Sequence, residues 1–201
     1  AAAGVKRIVY LGGLGEGSKH LDSRHATAEV LRRGPVPVTY FRAAAVIGEG
    51  SESFRTAFYL VRRLPVMITP RWVATRTQPI AIADAVAYLA AAADLELPVD
   101  REIEIGGPDV TTYGGMIDEL ARALGRRPPR RITVPLLTPA LSSLWIGLVT
   151  PVDAGVARPL IEGLATETVV SDAAGMEIFE DVMPTPLRTA LRAASGNSIV
   201  L

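Results

Sequence analysis

The run Val5-Lys6-Arg7-Ile8-Val9-Tyr10-Leu11 stops abruptly at a series of glycines, at positions 12, 13, 15 and 17. It is apolar, rich in β-branched and aromatic side chains, and too short to span a bilayer. It therefore predicts a buried strand that runs into a loop with a helix behind it. Glycine has no Cβ, so the backbone of that loop can come close to whatever sits above the strand end. In an open α/β sheet that end is where ligands bind. The stretch thus predicts a ligand pocket in an α/β fold, without naming the reactive part of the ligand.

The remaining sequence supplies the partners of such a strand. Asp22 or Ser23 can cap a helix that runs to about Arg32 and stops at Gly34-Pro35. Val36 to Arg42 reads as a second strand with Pro37 at its start, where a missing N–H does least harm. Strand, helix, strand with short connections is a parallel crossover unit. Further on, Ser51 or Ser53 starts a helix with Phe54, Ala57, Phe58 and Val61 at helical spacing, and a helix is predicted over 83–93. Glu102-Ile103-Glu104-Ile105 alternates like a half-exposed strand. Residues 112–124 form an amphipathic helix that ends at Gly125. Ile132-Thr133-Val134 reads as a strand, and beyond it the chain reads as helical, over 139–149, 155–164 and 186–194, with a frayed tail from Ser195. Trp72, Arg76 and Gln78 crowd without periodicity between two apolar pieces, as either a pocket-lining loop or a solvated one would.

Composition narrows the function. Lysine plus arginine and aspartate plus glutamate number 21 each, a net charge of zero, so nothing global favours nucleic acid or an anionic membrane. Cysteine is absent, which excludes disulfides, thiolate metal sites and a cysteine nucleophile, and is compatible with the cytoplasm. The one stretch of bilayer length, 132–152, is broken by Pro135, Pro139 and Pro151 into pieces too short to cross a membrane. No metal site is proposed, because His20 and His25 stand five apart and do not face each other on one helix.

Taken in order, these landmarks resemble the C-terminal portion of the extended and atypical short-chain dehydrogenase/reductase family, the NAD(P)-binding, epimerase-like and NmrA-like proteins. The resemblance rests on residues 4–11, on Ser23-Arg24-His25-Ala26-Thr27-Ala28-Glu29, on Arg42 followed by Gly48, on residues 79–86 and on Glu104-Ile105-Gly106-Gly107-Pro108. It implies an α/β fold, a partial Rossmann-like parallel sheet in residues 1–131 with a mostly helical, substrate-side extension in 132–201. It also implies that the chain opens at the fifth strand of that sheet, a fragment of a protein of roughly 300 residues. The half that carries the cofactor's pyrophosphate on a glycine-rich turn would be missing, and either that half or another chain would complete the sheet. The Gly13-x-Gly15-x-Gly17 run departs in spacing from a dinucleotide fingerprint.

The cofactor implied by the resemblance is NAD or NADP. Matching Ser23 and Glu29 to the family's catalytic helix puts His20 where the tyrosine acid/base stands and Arg24 where the lysine stands, with Gly12 and Gly13 in place of the serine. A histidine could exchange protons there, whereas an arginine could hold ribose or phosphate but not shuttle a proton. His20 and His25 as ordinary helix-flank residues is the competing reading. The family's backbone contact to the nicotinamide would fall on Ala43, Ala44 and Ala45. The substrate wall would be Trp72, Arg76, Gln78 and the apolar 141–148 stretch, suiting a small, partly hydrophobic molecule. Two functions remain open: an NAD(P)-dependent oxidoreductase or epimerase, and a non-catalytic NAD(P)-binding sensor or scaffold.

Overall fold

The computed structural model describes residues 4–94, 99–134 and 164–197. At its centre is a parallel sheet of three strands, β1 (Ile8–Gly13), β2 (Val38–Ala43) and β7 (Arg101–Ile105), in the order β1-β2-β7. The register places Ile8 opposite Val38 and Gly13 opposite Ala43, and Ala43 in turn opposite Ile105. Gly13, Ala43 and Ile105 therefore form one row at the C-terminal ends of the strands. The connection from β1 to β2 is α1 (Lys19–Arg32), the parallel crossover that the sequence predicts.

The pleat sends successive side chains to opposite faces. On the α1 face Tyr10 stacks on Tyr40 at 5.4 Å, and Val38 and Tyr40 pack under Ala28 and Leu31. On the other face Phe41, Ile103 and Ile105 meet Tyr88 and Ala92 of α3 (Ile82–Asp94), together with Phe179 just after α5 (Ala174–Glu177). Phe41 is 0% exposed, and burial of such a side chain is worth about 1.5–3 kcal/mol. β1 is less covered than the sequence predicts. Residues 8–11 are only half buried, because β2 is its single hydrogen-bonded neighbour among the described residues.

A second core joins α2 (Glu52–Arg63), α4 (Tyr113–Ala123) and α6 (Leu187–Asn197) through Phe54, Phe58, Ile117, Leu120 and Leu191. It is tied to the sheet by short pairs. β3 (Val46–Ile47) runs parallel to β6 (Ile80–Ala81), β4 (Val66–Thr69) parallel to β9 (Arg130–Thr133), and β5 (Arg76–Thr77) antiparallel to β8 (Thr111–Thr112). Thr77 also bridges to Thr168. A single turn of 3-10 helix occupies Arg71–Ala74.

Three boundaries differ from the sequence reading. The cap of α1 is Ser18, whose hydroxyl accepts the Leu21 N–H at 3.3 Å, so Asp22 falls in the first turn and Ser23 inside the helix. β2 begins at Val38, after Pro37, whose carbonyl accepts the Ile8 N–H at 2.9 Å. The expected tail is the last turn of α6: Ser195 is 3% exposed and its hydroxyl bonds the Leu191 carbonyl at 2.7 Å. Ser51 caps α2 and Gly125 stops α4 as expected, while Thr112, expected as the first residue of α4, is its cap. The helices expected over 139–149 and 155–164 lie outside the described residues, save for Leu164, which stands in a turn. Among the described residues no helix is long and apolar enough to cross a membrane.

Candidate active site at the strand ends

Above the row formed by Gly13 and Ala43 lies a cavity of about 350 Å³. Its floor is Gly12 and Gly13 from β1 and Ala43, Ala44 and Ala45 from the end of β2. α1 forms one wall with His20, Leu21 and Arg24, and Ser51, Tyr113 and Thr168 close the far side. His20 and Arg24 are four apart, one turn of helix, and so face the cavity together. The residues expected to carry acid–base chemistry and the nicotinamide end of a cofactor thus line a single space.

The glycine run earns its composition in a way the sequence reading did not anticipate. A Cβ on Gly12 would collide with the Tyr40 ring below the sheet, and one on Gly13 with the Leu21 side chain of α1. Gly15 and Gly17 have φ of +101° and +79°, values that L side chains rarely adopt. Packing and turn geometry therefore account for all four glycines. His25 holds the loop that results. Its Nε2 lies 3.2 Å from the Gly15 carbonyl and its Nδ1 2.9 Å from the Tyr40 hydroxyl. A carbonyl only accepts, so Nε2 carries a proton, and in the neutral ring Nδ1 receives the Tyr40 O–H. Burial raises the Tyr40 pKa, which keeps that phenol a donor.

The backbone at the floor has one acceptor to spare. Ala43 C=O takes the Leu14 N–H at 2.7 Å and Ala45 C=O takes the Ile80 N–H at 3.0 Å. Among the described residues nothing donates to the Ala44 carbonyl, although Ala44 is buried. On α1, Arg24 reaches across the free edge of β1 and donates to the Leu11 carbonyl at 3.3 Å. His20 is exposed at the cavity rim and its side chain makes no hydrogen bond among the described residues.

On the far side the Tyr113 hydroxyl lies 3.3 Å from Thr168 Oγ1, which donates to Thr77 Oγ1 at 2.8 Å. Burial raises the Tyr113 pKa, and the threonine hydrogen bonds only partly offset it. Ser18, Ser51, Tyr113 and Thr168 are lining residues that sequence reasoning did not select. Ser51 was legible only as a helix cap, and Tyr113 only as part of an apolar stripe.

Trp72, Arg76 and Gln78 do not line this cavity. Trp72 stands edge-on to Tyr113 at 6.3 Å, and its buried Nε1 has no hydrogen-bond partner among the described residues. Arg76 pairs with Glu167 at 2.7 Å on the surface. Gln78 is a clamp: its Nε2 donates to the Gly107 carbonyl at 2.7 Å and its Oε1 accepts the Val170 N–H at 3.0 Å. The 141–148 part of the expected substrate wall lies outside the described residues.

No family model matches the sequence, and no curated protein matches it. Solved structures do share its architecture. The NADPH-dependent quinone oxidoreductase of Escherichia coli complexed with NADPH is 18% identical with a TM-score of 0.71, over 94% of this chain and 66% of that one. A nucleoside-diphosphate-sugar epimerase from Staphylococcus aureus is 13% identical with a TM-score of 0.68, over 94% of this chain and 65% of that one. The UDP-glucuronic acid 4-epimerase of Bacillus cereus, in complex with UDP-glucuronic acid and NAD, is 13% identical with a TM-score of 0.61, over 94% and 60%. The chain spans 60–66% of the length of these structures. It has the Rossmann-like fold of NAD(P)-binding epimerases and reductases, as the sequence resemblance implies.

Proposed function

We propose that the chain is the nicotinamide- and substrate-facing portion of a cytoplasmic NAD(P)-dependent oxidoreductase or epimerase that acts on a small, partly hydrophobic molecule. The observation that carries this reading is the single cavity in which Gly12, Gly13, His20, Arg24 and Ala43–Ala45 meet at the ends of β1 and β2. At about 350 Å³ it lies at the small end of ligand sites, a fit for a nicotinamide and its ribose rather than a whole dinucleotide. The Ala44 carbonyl, which nothing donates to among the described residues, suits a carboxamide N–H. The phosphates and adenine would be held by the remaining half of the fold, or by another chain, paired to the free edge of β1.

Nicotinamide, when bound, supplies or accepts a hydride. The protein's part is to orient and to move a proton. Arg24 would leave the Leu11 carbonyl for ribose hydroxyls or a phosphate, as a fixed positive charge. His20 would exchange the proton at the substrate oxygen from the rim. Ser51, Tyr113 and Thr168 take the place of Trp72, Arg76 and Gln78 as the substrate-facing wall.

Binding is tested by titrating the full-length protein with NADH and NADPH and following nicotinamide fluorescence. Saturable binding is expected, with loss in an Ala44→Trp variant that fills the floor; equal binding by that variant would contradict the site. The second reading, a non-catalytic sensor or scaffold of the NmrA-like kind, is favoured by one observation: His20 has no side chain to orient it among the described residues. Oxidation of NADPH across a panel of aldehydes and ketones separates the two. Turnover that falls in His20→Ala supports the enzyme, and intact cofactor binding without any turnover supports the sensor.

A further inference from the structure

On the outer side of α2, away from the strand ends, a groove of about 650 Å³ lies between that helix and Arg126, three residues beyond α4. Its floor is aromatic. Phe54 and Phe58 are 1% and 4% exposed, and Tyr59 packs edge-on against Phe58 with ring centroids 5.7 Å apart. Its walls carry Arg55, Arg62 and Arg63 from α2 and Arg126, and Glu49 is the one carboxylate among the described lining residues. Among the described lining residues this is a local excess of positive charge, in a chain of zero net charge.

The guanidinium groups are held rather than loose. The Arg62 Cζ lies 5.4 Å from the Phe58 ring centroid and the Arg63 Cζ 5.1 Å from that of Tyr59. Such contacts restrict long side chains before a ligand arrives, which lowers the ordering cost of binding. Arg126 spends one N–H on the Arg62 carbonyl, at 2.9 Å. Among the described residues neither Arg62 nor Arg126 is paired with a carboxylate. The helix dipole would account for Arg62 and Arg63 in the last turn of α2. It does not account for Arg126, which comes from another part of the chain.

We propose that this groove binds a small organic molecule bearing two or more anionic oxygen groups, phosphates or carboxylates, with Arg62 and Arg126 as its principal contacts. The fork of N–H donors on an arginine matches either oxyanion in a two-point contact. The volume is that of a site for a small organic molecule and exceeds what a lone inorganic ion needs. The site is independent of the nicotinamide reading, since none of its residues lines the cavity at the strand ends.

Calorimetric titration of the full-length protein with pyrophosphate and with citrate, at low salt, tests it. Saturable binding of at least one probe is expected, and the preference between them assigns the groove to phosphate or to carboxylate ligands. Arg62→Ala and Arg126→Ala should each weaken binding about tenfold, the loss of one charge-assisted contact. Both side chains are exposed, so the fold should survive, which circular dichroism checks. Arg33→Ala removes the same unit of charge from an exposed arginine at the end of α1 and should change nothing. The absence of saturable binding of either probe, or an equal loss in all three variants, would overturn the proposal.

Discussion

Single side chains that close long loops do much of the work of holding the segment after Leu164 to the sheet. Gln78 joins Gly107 and Val170, which lie 29 and 92 residues away. Gln78→Leu would leave that carbonyl and that N–H unsatisfied, and should cost about 1–3 kcal/mol in a urea melt; an unchanged midpoint would contradict this role. Glu104 works similarly 67 residues away, accepting the Ser171 N–H and hydroxyl at 2.6 and 2.8 Å. Burial alone would raise its pKa, but the bonds from Ser171 and Asp172 and the charge of Arg42 together outweigh burial and leave it lowered. A carboxylate with a lowered folded pKa stabilises the fold above the ordinary glutamate range, and that contribution is lost as pH falls through the folded value. Stability should therefore drop on acidification, and Glu104→Gln should reduce that drop while lowering stability at neutral pH. Urea midpoints at neutral pH and at about pH 3.5 measure both. Neither tie was legible in the sequence, because a lone glutamine or glutamate carries no sign of a partner so far along the chain.

At the scale of elements, legibility followed periodicity and end signals. α4 was readable because its apolar stripe is continuous and because Thr112 and Gly125 mark its ends. α1 was harder: it buries only Leu21 and Ala28, so periodicity gave no reason to start it before Asp22 or Ser23. The structure gives the cap to Ser18, and Ser18→Ala should destabilise the protein by about 1 kcal/mol, read from its melting midpoint. The same change to Ser23, whose side chain lies on the exposed side of the helix, should have a much smaller effect. The two-residue strands β3, β5, β6 and β8 were out of reach, since two residues show no alternation and their pairing depends on the whole fold. In the candidate site, His20, Arg24 and the alanine run were named only through the family resemblance, and they line one cavity. Tyr113 and Thr168 were not named, because a hydroxyl contact spanning 55 residues leaves no local pattern.

At the scale of the molecule, the sheet is one-sided. Among the described residues β2 is buried and paired on both edges, whereas β1 is paired on one, with Val9 and Leu11 half covered and Val86 of α3 56% exposed. Free apolar edges invite pairing, and folded proteins usually cover them. That edge is where the proposed remainder of the fold would join and bring the rest of the cofactor over the cavity. The central claim is that the floor made by Gly12–Gly13 and Ala43–Ala45 carries the nicotinamide. Amide hydrogen exchange of the full-length protein, with and without saturating NADPH, tests it most directly. Slowed exchange confined largely to those two segments is the predicted result; NADPH binding that leaves both segments unchanged would contradict the claim.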